Sequence, residues 1–110
     1  MIEELESLGS EKKRAVESFL EQVIRHLLFL QYWTEEYDSN ANYWHAEIYG
    51  FRTQIRRRLA TNLLRHLENG YLGLYVDALG YVQRKTEFKL DLPKQCPYTL
   101  EQLLDVDWLP

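Results

Sequence analysis

A single cysteine, Cys96, is all the thiol chemistry in these 110 residues. One thiol excludes an internal disulfide and any multi-thiolate metal site, and it fits a reducing cytosol. Positive charge is not in surplus either. The formal net charge of -4 weighs against a general nucleic-acid binder, because phosphate neutralisation drives such binding. The chain also lacks the basic-then-apolar opening of a secretory signal, since its first residues, MIEELESLG, are acidic and helix-prone. Glu17, Glu21, Gln22 and Arg25 interrupt the longest apolar run, so it cannot span a bilayer. A cytoplasmic location with no membrane partner is therefore expected. Nor is there a catalytic, metal or nucleotide motif that survives inspection, and neither an enzyme nor a cofactor is the favoured reading.

What the chain does hold is an ordinary globular composition, 45% hydrophobic and 27% charged. A chain this long forms one domain, 1–110, and buries roughly 65% of its unfolded surface. Aromatics reach 14%, eight of them Tyr, and suit half-buried or partner-covered surfaces.

The spacing predicts an all-α fold, a small bundle of three main helices (about 10–34, 42–68 and 71–85) with a short helix at 100–104. Ile2, Leu5 and Leu8 suggest a short opening helix that breaks at Gly9-Ser10. In the first main helix Val16, Leu20, Val23, Leu27 and Leu30 alternate steps of four and three, the spacing of bundled helices. Phe19, Ile24 and Leu28 widen that stripe. In the second, Trp44, Ile48, Phe51 and Ile55 give way to Leu59, Leu63 and Leu67, whose steps of four drift around the helix, so a bend or break is expected near Thr61-Asn62. Asn69-Gly70 reads as a stop. Gly73 and Gly80 suggest close backbone packing on the third helix, and Thr86–Leu92 an extended segment laying Phe88, Leu90 and Leu92 on the bundle. Thr99 with Gln102 forms a capping box, Tyr98 with Leu103 stands at staple positions, and Trp108 and Leu109 are expected to dock.

The polar candidates are few. Arg52, Arg56, Arg57 and Arg58, with Arg65, make the one basic concentration, a candidate for phosphate binding. Their angles splay around the helix, so a solvated, salt-bridged face is the favoured reading. His26 is a core-edge histidine with no second ligand at metal spacing. His45-Ala46-Glu47 echoes the zinc deaminases but lacks their cysteine pair, and His66 has nothing convergent beside it. Asp77, lying between Gly73 and Gly80, is expected in a structural pair with Arg52 or His26. Cys96 reads as packing, and Asp105 with Asp107 makes a poor calcium site.

The C-terminal run PKQCPYTLEQLLDVDWLP resembles the closing signature of the domain of unknown function 29 family, found mainly in cyanobacteria. The resemblance extends over IEELESLGSEKKRAVES, the His26–Leu28 and Gln31-Tyr32 segments, Trp44 with Ile48, Arg52 and Ile55, and Tyr75-x-Asp77-Ala78. It implies an all-α bundle with no assigned activity. Leu30 stands where the family usually has Trp, and the Pro usual near 61 or 62 is absent. A helical segment usual before IEELESLG is also not present. Its absence would expose some of Phe19, Ile24, Phe29 or Trp33, and such patches find partners. The expectation is a self-associating interaction module, a homo-oligomer. The alternative is a nucleic-acid-associated regulator using the arginines of the second helix.

Overall fold

The computed structural model describes residues 2–110, with side chains from Gly9 onward. Four α-helices follow one another, α1 (Ile2–Tyr32), α2 (Tyr37–Arg58), α3 (Thr61–Lys85) and α4 (Leu100–Leu104), and no strand occurs among the described residues. The first helix is continuous through Gly9-Ser10, so the expected break is not there. The apolar positions Ile2, Leu5 and Leu8 lie outside the described side chains.

α1 is the axis of the fold. Val16, Leu20, Val23, Ile24, Leu27 and Leu28 are fully buried. From His26 to Leu30 every residue is buried, which takes away all faces of the helix at once. That happens because α2 and α3 pack on different sides of α1, while the backbones of α2 and α3 stay apart from each other. α2 runs back along α1, pairing Phe51 with Phe19 and Trp44 with Phe29 and Trp33. α3 then runs forward again, setting His66 beside Glu17 and Tyr81 beside Arg25.

The links differ from expectation in instructive ways. Residues 38–41, which lie between the first two expected helices, form the first turns of α2, and the turn is a single 3-10 stretch at Thr34–Glu36. Asn40 turns its capping chemistry inward, donating to the Glu36 carbonyl at 3.2 Å and its carboxylate at 3.1 Å. The break in the drifting leucine stripe falls at Leu59-Ala60, both extended, two residues before the expected place. Arg56, Arg57 and Arg58 close α2, where cations favour the negative end of the helix dipole. Asn69-Gly70 does not stop a helix. Leu67, Tyr75, Ala78 and Val82 continue one buried stripe against α1, and that packing outweighs the cost of the glycine.

Beyond α3 the expected extended run does not form. Glu87 donates its N–H to the Arg84 carbonyl at 3.1 Å and Phe88 to the Gln83 carbonyl at 2.7 Å. This is the paired-bond helix ending usually built on glycine. Here Glu87 and Phe88 adopt φ of 57° and 58° instead. Phe88 is consequently exposed, Leu90 half-buried, and only Leu92 reaches the core. The segment then crosses to α4, whose capping box forms as expected. Thr99 accepts from the Gln102 N–H at 3.1 Å, and the Gln102 side chain accepts from the Thr99 N–H at 3.0 Å. Tyr98 and Leu103 are buried, and Trp108 packs edge-on against Tyr98 with ring centroids 5.8 Å apart. Leu109 stays exposed rather than docking.

Candidate interaction site

Arg52 decides how the C-terminal segment is held. It occupies a seam position of α2 between the buried Ile48 and Ile55, and only 1% of it is exposed. Helix α4 ends with unsatisfied carbonyls, as every helix does. The Arg52 guanidinium meets them, donating from Nε to Leu103 O at 2.9 Å, from Nη2 to Gln102 O at 2.9 Å and from Nη1 to Trp108 O at 2.7 Å. Burial pulls its pKa down from the usual arginine value, and the nearby Asp105 and Asp107 oppose that shift. The expected basic patch therefore loses Arg52, which is a buried structural latch. Arg56, Arg57 and Arg58 remain exposed, with Arg58 tied to Gln54 and lying 5.2 Å from the Phe19 ring centre.

Two tyrosines fasten the same segment. Tyr75 of α3 donates its hydroxyl to the Pro93 carbonyl, and its burial helps push the phenol up to about 12. Tyr98 donates to Gln31 Oε1 of α1 at 2.9 Å, and burial raises its pKa further still. Cys96 donates to the Tyr98 carbonyl at 3.4 Å, and burial raises its thiol pKa, which leaves it less nucleophilic.

On another side of α1, Gln22, Arg25, His26 and Phe29 floor a trough of about 500 Å³. Its walls are Asn40, Tyr43, Trp44 and Glu47 from α2, and Tyr81 and Lys85 from α3. His26 donates from Nδ1 to the Gln22 carbonyl at 2.6 Å and packs its ring against Phe29 and Phe51. Burial lowers its pKa, with the bond to the Gln22 carbonyl opposing the shift. Arg25 pairs with Glu21 and stacks 3.8 Å over Tyr81, while its buried Nε has no partner.

The proposed exposure of Phe19, Ile24, Phe29 and Trp33 is not found. Ile24 and Phe29 are buried, Phe19 packs against Phe51, and Trp33 stacks on Trp44 at 5.9 Å. The α2 aromatics supply the cover. Asp77 is exposed and bonds neither Arg52 nor His26, because those two are engaged elsewhere. It shares a small hollow with Glu17 and His66, which pair with each other across α1 and α3. That pair was not foreseen, since nothing in a sequence brings residues 17 and 66 together. Gly73 has open space around its missing side chain, and Gly80 meets only the Arg84 side chain of its own helix, so no other element packs closely there.

The exposed apolar residues lie elsewhere. Leu72 and Val76 stand on the outer face of α3, and Phe88 follows at its end. An apolar hollow of about 710 Å³ opens between Leu59, Leu64, Leu100, Leu104 and Val106, with Glu68, Glu101, Asp105 and Asp107 among its lining. Among the described residues there is no cluster of three or more groups able to hold a metal ion, and no helix is long and apolar enough to cross a membrane.

A family model described as a domain of unknown function, DUF29, matches residues 1–109. The chain belongs to the DUF29 family. No curated protein and no solved structure matches it. Within this DUF29 chain, the closing PYTLEQLLDVDWLP stretch is held to α2 by Arg52 and to α1 by its own Tyr98.

Proposed function

We propose that the chain is a non-enzymatic, cytosolic assembly module that associates with itself through the outer face of α3. One observation carries this reading. Leu72 and Val76, one turn apart, are 58% and 63% exposed, while Leu67, Tyr75, Ala78 and Val82 bury the opposite side of the same helix. A helix that is apolar on both faces has two surfaces to bury, and its own chain covers one. The outer stripe of Asn69, Leu72, Gly73, Val76, Gly80 and Gln83 carries no charge. Each glycine costs about 0.8–1 kcal/mol against alanine in a helix interior. Close approach of a second helix at Gly73 and Gly80 would offset that cost. A second copy suits the stripe, because one uncharged surface meets itself without stranding an ion in the contact.

Sedimentation velocity across a concentration series up to tens of micromolar tests this. The expected result is a concentration-dependent dimer for the native chain and a monomer with unchanged helical circular dichroism for Val76→Glu. A single monomeric boundary throughout would sink the reading. The exposed run Arg56-Arg57-Arg58 keeps a nucleic-acid reading in second place. Salt-sensitive retention on heparin without dimerisation would favour it instead.

A further inference from the structure

The trough over α1 is built from three matching stripes. Gln22, Arg25, His26 and Phe29 make its floor, at the spacing of one helix face. Asn40, Tyr43, Trp44 and Glu47 repeat that spacing on the α2 wall, and Tyr81 and Lys85, one turn apart, form the α3 wall. The trough stays open because α2 and α3 pack on different sides of α1 without meeting. Its volume of about 500 Å³ falls within the roughly 300–1,000 Å³ usual for a small-molecule site.

Charged and aromatic groups are separated along it. Helix α2 runs against α1, so Glu47 lies one turn from Trp44 toward Arg25. Helix α3 runs with α1, so Lys85 lies one turn from Tyr81 toward Phe29. Arg25 is already committed to Glu21 and to the face of Tyr81. Among the described residues Glu47, half-buried, and Lys85, exposed, form no ion pair. They stand on opposite walls, so a ligand of one charge leaves one of them unanswered, whereas a ligand carrying both signs meets both. Toward the far end, half-buried Trp33 and exposed Tyr43 present ring surface beside the packed Phe29 and Trp44.

We propose that this trough binds a free aromatic α-amino acid, its ammonium on Glu47, its carboxylate on Lys85 and its ring against Trp33 and Tyr43. An α-amino acid carries both charges on one carbon, and an aromatic side chain suits the ring surface beside them. None of the trough's lining belongs to the outer stripe of α3, so the site does not depend on self-association.

Isothermal titration calorimetry and tryptophan emission test it, with phenylalanine, phenylpropionate and phenethylamine as probes. The last two keep the ring and lack the ammonium and the carboxylate respectively. Phenylalanine should bind saturably and perturb the emission, and each truncated probe should bind at least about tenfold more weakly. Glu47→Gln should abolish the preference over phenylpropionate, and Lys85→Met the preference over phenethylamine. Neither side chain belongs to the buried core, and circular dichroism checks that the fold is kept. Absence of saturable phenylalanine binding overturns the site. A truncated probe that binds as tightly as phenylalanine, or preferences unmoved by the two substitutions, overturns the recognition of both charges.

Discussion

Two sides of α1 meet the same requirement differently. One is sealed by the C-terminal segment, where Arg52 satisfies three carbonyls and Tyr75 and Tyr98 fasten the chain on either side of Cys96. The other is the polar trough over Arg25 and His26, where the buried Arg25 Nε finds no partner. Each side sets an arginine beside the helix packing, yet only one arginine is organised by convergent acceptors. The difference locates the structural weight of the closing motif. Its backbone supplies the acceptors, and its side chains Tyr98 and Leu103 supply the packing. The trough is lined in part by side chains tied within their own helix, as Glu21 pairs with one end of the Arg25 guanidinium and leaves its Nε without a partner.

The sharpest way to break this contrast is Arg52→Met. It keeps much of the volume but strands carbonyls at the end of α4 and at Trp108. An unsatisfied buried group costs about 1–3 kcal/mol. With partial rescue by water, the expected loss is about 3–5 kcal/mol, enough to release residues 93–110 or unfold the domain. Urea denaturation measures the loss, and limited proteolysis locates it. Unchanged stability would mean that the latch is incidental. Arg52→Lys should recover only part, since a point charge cannot serve three carbonyls in a fork. Tyr98→Phe is the next step down. It removes one bond to Gln31 and should cost about 1 kcal/mol, lowering the melting temperature by roughly 4–8 °C for a domain of this size.

Much of the sealed side was legible beforehand and its fastening was not. The capping box at Thr99 and Gln102 is a local pattern, and local patterns are visible in a sequence because all their partners lie within four residues. The leucine drift at Leu59, Leu63 and Leu67 likewise announced a break, displaced by only two residues. Arg52 was placed in a basic patch because its partners are backbone carbonyls some fifty residues away, which no residue type advertises. A usable signal was present all the same: Arg52 sits between Ile48 and Ile55 on the buried seam, where a charge is retained only when it is satisfied. At Thr86–Leu92 the alternating pattern suggests an extended segment, but the helix ending at Glu87 and Phe88 overrides it. Once the Phe88 N–H bonds back to Gln83, the register of the alternating residues no longer follows a strand.

On the open side, Arg25→Met should cost about 1 kcal/mol or less, because losing the Glu21 pair and the stack over Tyr81 is offset by removing the buried, unpartnered Nε. Its ion pair with Glu21 is an i,i+4 pair in partial contact with solvent, and such pairs contribute little. A loss approaching that of Arg52→Met would erase the distinction between the two sides.

The smallest expected effect is a pH dependence, and it isolates His26. Burial lowers its folded-state pKa below the ordinary 6.5, with the carbonyl of Gln22 and the charge of Glu47 opposing the shift only in part. The unfolded chain therefore binds a proton at a higher pH than the folded one. Between the ordinary value and the depressed one, the unfolded state holds more protons, so stability rises with pH. His26 thus leaves stability intact above about 6.5 and withdraws it as the pH falls toward the folded value. Replacing it by Phe, which keeps a ring against Phe29 and Phe51, should remove that contribution to the acid slope while leaving other titrating groups in place. Urea midpoints measured at a series of pH values for both proteins give the difference directly. If the two slopes coincide, the ring is as well solvated as in the unfolded chain, and the trough is then more open to water than the packing of Phe29 and Phe51 around it implies.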